Sequence, residues 1–292
     1  MSADKEAAIV QAFTDMAAIE LLAGALFASQ RRRTTDPTLA AIFDSFVADE
    51  ARHSEVAARL AAHYDARRLR RYEVSPALVR FRPRFLRAID EAAPEVANGY
   101  ITAGELLLDI ALLRSLDDYV GDEMSHAAMR LINRDESRHI AIDFHMIDVY
   151  SSDAFLASRR ARPRQGLVAR GRALANLGAM LWAAQPFLRD VFLAPMDRTD
   201  PAGARMAEAF KRIQLVTRKP SVARLPFFRF MLRLQALYVD PRVGPWLGPV
   251  LLRFIGGEAR IVRELFTADE LARSQAMSFD ELAEEIAAAR PA

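Results

Sequence analysis

The sequence predicts an all-α fold, with a four-helix bundle over residues 1–150 and a helical extension over residues 151–292. Three observations lead there. Apolar residues recur at helical spacing along most of the chain, while strand-like alternation is scarce. Two of the helical segments carry nearly the same phrase, Asp49-Glu50-Ala51-Arg52-His53 and Asp135-Glu136-Ser137-Arg138-His139. In the helix preceding each of them a lone carboxylate, Glu20 or Glu105, sits in the middle of an otherwise apolar stripe.

The first helix is expected from about Lys5 to Gln30, with Phe13, Ala17, Glu20, Gly24 and Phe27 on one face. Asp36-Pro37, an N-cap followed by proline at the first helical position, announces the second helix, which runs to about His63. Its stripe is the most regular: Leu39, Phe43, Phe46, Glu50, His53, Ala57 and Leu60 alternate steps of four and three. The third helix spans about Pro94 to Tyr119 with Ile101, Glu105, Leu108 and Leu112 aligned. The fourth spans about Asp122 to Tyr150 with Met129, Ile132, Glu136, His139, Asp143 and Met146 aligned. Between the second and third lies Tyr64 to Ala93, an Arg-rich connection with Pro76 and Pro83, long enough to travel the length of the bundle and to hold a short crossing helix.

After Tyr150, Ser151-Ser152-Asp153 and an Arg/Pro stretch reaching Gly166 mark a boundary. The remainder also reads as helices. Thr267-x-x-Glu270 and Ser278-x-x-Glu281 have the form of capping boxes. Leu225–Leu237 and Trp246–Ile255 are apolar and are expected to pack on the bundle or on a second subunit, which leaves a homodimer open.

Composition narrows the function classes. The chain has 292 residues, 52% of them hydrophobic, so a sizeable core can be buried. With no cysteine, disulfides, thiolate zinc sites and cysteine-ligated iron–sulfur clusters are excluded. The net charge of +2 gives no ground for a nucleic-acid partner. No basic segment followed by an apolar core opens the chain, so no secretory signal is expected. The uncharged run Ala173–Leu188, 16 residues with Asn176, Gln185 and Pro186 inside it, is too short and polar to span a bilayer. A soluble, cytoplasmic protein without a transmembrane segment is expected. No Gly-rich phosphate loop precedes a helix, so no bound nucleotide or flavin is expected either. Eight arginines fall between Arg67 and Arg87, a solvated helix face or a dock for an acidic carrier protein or phosphorylated substrate.

The repeated phrase carries the chemistry. Residues three apart on a helix share a face, so Glu50 with His53, and Glu136 with His139, each offer a carboxylate and an imidazole to one point. An ionised carboxylate on an apolar face is costly unless compensated, and four converging ones call for cations. A Glu from each of two helices plus Glu-x-x-His from each of the other two is a ligand set for two metal ions inside a bundle. Glu20, Glu50, His53, Glu105, Glu136 and His139 supply it, and mixed carboxylate and imidazole ligation suits iron or manganese better than structural zinc. Asp49 and Asp135 are placed to accept the second N–H of the metal-bound histidines, with Arg52 and Arg138 either balancing their charge or forming ordinary surface ion pairs three residues apart. Asp109 and Asp143, one turn from Glu105 and His139, could support the ligands from behind but read rather as exposed acids. His63, His126 and His145 read as surface or capping residues.

Those motifs resemble the ferritin-like non-haem diiron carboxylate superfamily over roughly residues 5–150, in particular its O2-activating members: multicomponent monooxygenases, acyl-carrier-protein desaturases and arylamine N-oxygenases. The resemblance implies a ferritin-like bundle holding two Fe ions, with Mn/Fe and Mn/Mn left open, and O2 as co-substrate. Glu20 and Glu105 would be terminal or bridging ligands, Glu50 and Glu136 would bridge or chelate, and His53 and His139 would bind one metal each. The chain departs from two subfamilies. The extra histidine of the p-aminobenzoate N-oxygenase type is replaced by Ile132, and the tyrosine of the radical-generating ribonucleotide reductase subunit by Ala57. In its compact spacing it is similar to the aldehyde-deformylating oxygenases.

The expected function is that of a diiron oxygenase or oxidase. It would act on a small-molecule or acyl-carrier-bound substrate by hydroxylation, N-oxygenation, desaturation or a related oxidation. Electrons would come from an external donor, a ferredoxin or a reductase. Phe13, Phe27, Phe43 and Phe46 are candidates to line its pocket. The alternative is a ferroxidase or peroxide-scavenging protein, and access separates the two: an oxygenase needs an apolar cavity beside the metals, a ferroxidase a polar route for iron.

Overall fold

A computed structural model describes residues 1–68, 72–161, 166–194, 197, 202–255 and 258–288. Every regular element among them is helical, and no strand occurs among the described residues. The first helix, α1, spans Ala3–Arg33 and the second, α2, Pro37–Tyr64. Ser2 caps α1, and the Asp36 carboxylate accepts the backbone N–H groups of Thr38 and Leu39 at the start of α2. A three-residue link makes the pair an antiparallel hairpin, packed along nearly its whole length. Gly24 permits the close approach, since a Cβ there would lie 3.2 Å from Cβ of Glu50.

The long connection contains a helix, α3 (Pro76–Glu91), whose inner face buries Ala77, Leu78, Phe81, Phe85, Ala88 and Ile89. Asp15, buried on α1, fixes its start by accepting the backbone N–H and hydroxyl of Ser75. Of the arginines in this stretch, Arg67 pairs with Glu6, Arg80, Arg84 and Arg87 are exposed, and Arg70 and Arg71 lie outside the described residues.

The third long helix is interrupted. It runs as α4 (Pro94–Leu106), then as a π-helical stretch (Leu107–Leu113), then as α5 (Arg114–Tyr119). Within the wider turn the N–H of Arg114 reaches back to the carbonyl of Asp109, and the Arg114 guanidinium meets the Asp109 carboxylate at 3.0 Å. The fourth, α6 (Glu123–Ser151), starts at the Asp122 cap and packs against α4. With α1 touching α4 and α2 touching α6, the four helices close around a shared interior.

No break in the core marks the boundary placed after Tyr150, and one hydrophobic cluster runs from Ile9 to Ile286. α7 (Asp153–Ala161) follows α6, and α8 (Leu167–Phe187) lies on α3. Pro186 deprives the end of α8 of a backbone donor, and a second π-helical stretch, Leu188–Leu193, follows. α9 (Ala204–Thr217) packs on the first π stretch, and α10 (Pro226–Val239) on α11 (Gly244–Ile255). Finally come α12 (Ala268–Ala276) and α13 (Phe279–Ala288), the latter lying on α6. Both expected capping boxes form: Glu270 with Thr267, and Glu281 with Ser278. The apolar segments at 225–237 and 246–255 only partly pack as expected, because Phe230, Leu237, Trp246, Leu247 and Val250 are exposed.

By length and composition, Ala3–Arg33 and Pro94–Asp117 could each cross a membrane, but 72% of each apolar window is buried inside the fold, the pattern of a core helix.

Candidate metal centre

Each of the four central helices delivers its stripe to the interior. On α2, Phe43, Phe46, Glu50, His53, Ala57 and Leu60 are buried, and on α6 the whole set from Met129 to Met146 is buried. Glu20 and Glu50 are 0% exposed, as are Glu136 and His139, and Glu105 and His53 scarcely more. All six converge in two overlapping groups. Ligand atoms of Glu20, Glu50, His53 and Glu136 lie within 4.8 Å of one another, as do those of Glu50, Glu105, Glu136 and His139. Glu50 and Glu136 belong to both groups, Glu20 and His53 to one, Glu105 and His139 to the other.

Both imidazoles point Nδ1 at the carboxylates. His53 Nδ1 lies 3.2 Å from Glu136, 3.8 Å from Glu50 and 4.0 Å from Glu20. His139 Nδ1 lies 3.1 Å from Glu50, 3.3 Å from Glu136 and 3.7 Å from Glu105. The opposite edges face outward to the aspartates, crosswise. Asp135 of α6 sits 3.4 Å from Nε2 of His53 on α2, and Asp49 of α2 sits 3.5 Å from Nε2 of His139 on α6. Arg138 joins the two acids, at 3.0 Å from Asp49 and 2.8 Å from Asp135, and Arg52 also pairs with Asp49. An imidazole held by an acceptor at Nε2 keeps its proton there and leaves the Nδ1 lone pair for a metal.

Electrostatics mark the interior as short of positive charge. Burial, together with the negative charge of the neighbouring glutamates, pushes Glu20 and Glu105 well above the ordinary carboxyl range. Burial would lower His53, but Glu136 and Glu50 raise it to about 10; Glu136, Asp49 and Glu105 likewise raise His139. Against the cost of burial, His139 and His53 hold Glu136 below the carboxyl range. Asp49 also stays low despite burial, through His139 and the two arginines. Both oxygens of Glu20, Glu50 and Glu136, one of Glu105, Nδ1 of each histidine and Nε2 of His139 have no hydrogen-bond partner, the Asp49 carboxylate facing that last atom as an ion pair at 3.5 Å. Buried polar atoms are seldom left so, and a cluster of acceptors facing one another fits divalent cations. These residues could hold a metal ion in each group.

Asp109 and Asp143 depart from expectation, since both are fully buried rather than exposed. Asp109 is matched by Arg114. Asp143 has no hydrogen-bond partner for its carboxylate, and burial keeps its pKa well above the usual value. Its place on the α6 stripe was the signal that it faces inward. His63 and His126 sit beside Asp122 and Asp117, and His145 is exposed.

Next to the centre is an apolar cavity of about 290 Å³, with Glu105 in its wall. Phe13, Phe27, Phe43 and Phe46 are not among its lining residues. Phe27 and Phe46 instead pack their rings on His139, at 5.1 and 4.1 Å, and Phe13 stacks on Tyr64. The lining comes from α1, α3, α4, α8, α9, α10, both π-helical stretches and Ile261 with Val262, and includes Phe81, Phe187, Phe227 and Phe228. Helical stripes in residues 151–292 gave no sign of which faces would meet this space. Gly99 on α4 admits the Phe228 ring, since a Cβ there would lie 2.4 Å from it. The hydroxyl of Tyr100, another lining residue, is buried without a hydrogen-bond partner.

Comparison with protein-family models, with curated proteins and with solved structures finds no match to this chain.

Proposed function

We propose that the protein is a non-haem diiron oxygenase or oxidase, built on a ferritin-like four-helix bundle of α1, α2, α4 with its π stretch, and α6, and acting with O2 on a predominantly apolar substrate. One observation carries the choice. The cavity whose wall includes Glu105 is almost wholly apolar, as a pocket for an organic substrate must be and as an entry route for iron ions need not be. Its volume, about 290 Å³, is near the lower end of small-molecule sites.

In this reading the six residues would hold two iron ions, one among Glu20, Glu50, His53 and Glu136 and the other among Glu50, Glu105, Glu136 and His139. Bound iron would supply the redox chemistry for O2 activation, with electrons drawn from an external ferredoxin or reductase. Asp135 and Asp49 keep the proton on Nε2 of His53 and His139, so that each ring presents its lone pair inward. Arg138 offsets the negative charge of both aspartates. Phe27 and Phe46 seal the His139 side, while the apolar wall excludes water and directs the substrate toward Glu105. Burial keeps the Tyr100 phenol protonated, so it can donate a hydrogen bond to a polar group on the substrate.

Anaerobic loading with Fe(II), followed by O2 in the presence of candidate apolar substrates and a reductant, tests the proposal. About two irons per chain should bind, and O2 uptake should be coupled to an oxidised organic product. Uptake that scales with added Fe(II), forms ferric mineral and ignores every organic compound would instead assign the chain to the ferroxidases.

A further inference from the structure

We infer that the outer faces of α8, α10 and α11 form a docking surface for an anionic lipid bilayer. Both tryptophans of the chain lie there, Trp246 on α11 at 84% exposure and Trp182 on α8 at 63%. Around Trp246, Leu247 and Val250 are exposed too, while on α10 Phe230 and Leu237 project from the face opposite buried Phe228. Leu167, Val168 and Leu174 continue the pattern along α8. α11 packs against both α8 and α10, so the three helices that carry these side chains are neighbours. Exposed apolar side chains gathered in this way mark an interaction surface.

Charge selects the occupant. Arg170 on α8, Arg229 and Arg233 on α10, and Arg242 in the turn joining α10 to α11 are exposed and have no ion-pair partner among the described residues. On α10, Arg229 and Arg233 lie one turn apart, in the same exposed row as Phe230 and Leu237. No acid lies between Gly166 and Leu188, and Asp240 is the one acid between Pro226 and Leu252, its carboxylate accepting the backbone N–H groups of Arg242 and Val243. Two copies of this face would set arginine against arginine, whereas anionic headgroups complement it. Length decides the mode. α10 has 14 residues and α11 has 12, too few to cross a hydrocarbon core, so the helices lie in the interface with tryptophan at headgroup depth. The surface stands independently of the metal centre, although half-buried Met231 and Leu232 of α10 also line the apolar cavity.

Because both tryptophans sit on this face, their intrinsic emission reports on it alone. The full chain is floated with vesicles of phosphatidylglycerol and phosphatidylcholine in equal parts, and with phosphatidylcholine alone. Co-flotation and a blue-shifted emission are expected with the anionic vesicles, weakening with added salt. Arg233→Glu should reduce partitioning roughly fivefold or more, and Trp246→Ala should reduce both binding and the shift while leaving the helical circular dichroism unchanged. Absence of flotation with anionic vesicles overturns the inference. So does a blue shift without lipid that grows with protein concentration and accompanies a dimer mass in light scattering, which would give the face to a second copy.

Discussion

Asp49 on α2 lies 3.5 Å from Nε2 of His139 on α6, and the relationship is returned by Asp135 on α6 with His53 on α2. Each helix therefore orients the histidine of the other, so the two D-E-x-R-H phrases work as one unit. Asp49→Asn keeps the shape but removes the charge that fixes the His139 tautomer. Metal affinity should fall by roughly 10–100-fold, with the larger loss at the site containing His139 and Glu105. Competition with a chelator of known affinity measures this. Asp135→Asn should weaken the other site, and equal effects of both variants on both sites would contradict the crossed arrangement.

Gly24 faces Glu50 across the α1–α2 contact, and an added Cβ would stand 3.2 Å from Glu50 Cβ. Gly24→Ala has the intrinsic helix gain of alanine, about 1 kcal/mol. Overpacking at a buried contact costs about 1–3 kcal/mol. Glu50 belongs to both metal groups, so its displacement should lower the metal content of both. Thermal melting with and without metal separates the effects. A variant that melts higher than the parent and binds metal normally would show that α1 and α2 can separate freely.

Much of this centre was legible in the sequence because a helix turns fixed spacing into a shared direction. Glu50 with His53 and Glu136 with His139 needed only the three-residue step, and Glu20 and Glu105 needed only the apolar stripes around them. The same stripe contained Asp143, yet its carboxylate reads as exposed until burial is seen, since a lone acid on a helix is ordinarily solvated. The π-helical stretch at Leu107–Leu113 has no sequence mark, because the apolar spacing around Asp109 reads equally well as a continuous α-helix. The cavity was also invisible. Its walls combine segments distant in sequence, from Ile19 to Val262, and which of their faces meet depends on packing.

Stability without metal should fall as pH rises. His53 is raised from 6.5 to about 10 by Glu136 and Glu50, so the folded chain holds a proton that the unfolded chain has released. That contribution is complete below 6.5 and disappears as pH climbs toward 10. Glu20 and Glu105, raised above 4.5 by burial and neighbouring charge, act in the same direction from a lower starting point. Glu136, held low, opposes them only in acid. Metal binding must expel these protons, so apparent affinity should increase with pH. Calorimetric titration at neutral pH, in buffers of different ionisation enthalpy, counts them. A binding enthalpy independent of buffer would mean that the site is already deprotonated.

The overlap of the two ligand groups predicts unequal roles for the four glutamates. Glu50 and Glu136 serve both groups, whereas Glu20 and Glu105 serve one each. Glu50→Gln or Glu136→Gln should therefore remove both metals, while Glu20→Gln or Glu105→Gln should leave one bound more tightly than the other. In the metal-free protein the ordering changes. Glu20 is fully buried without a hydrogen-bond partner and faces Glu50, Glu136 and Glu105, so an isosteric amide relieves its protonation demand at high pH. Glu20→Gln should thus flatten the decline of stability with pH. Glu136→Gln should cost about 3–5 kcal/mol by removing the counter-charge that lies within 3.3 Å of both His53 and His139. Metal analysis after equilibrium dialysis and denaturant melts over pH test both halves. Loss of both metals from every one of the four variants would show that the groups fill only together.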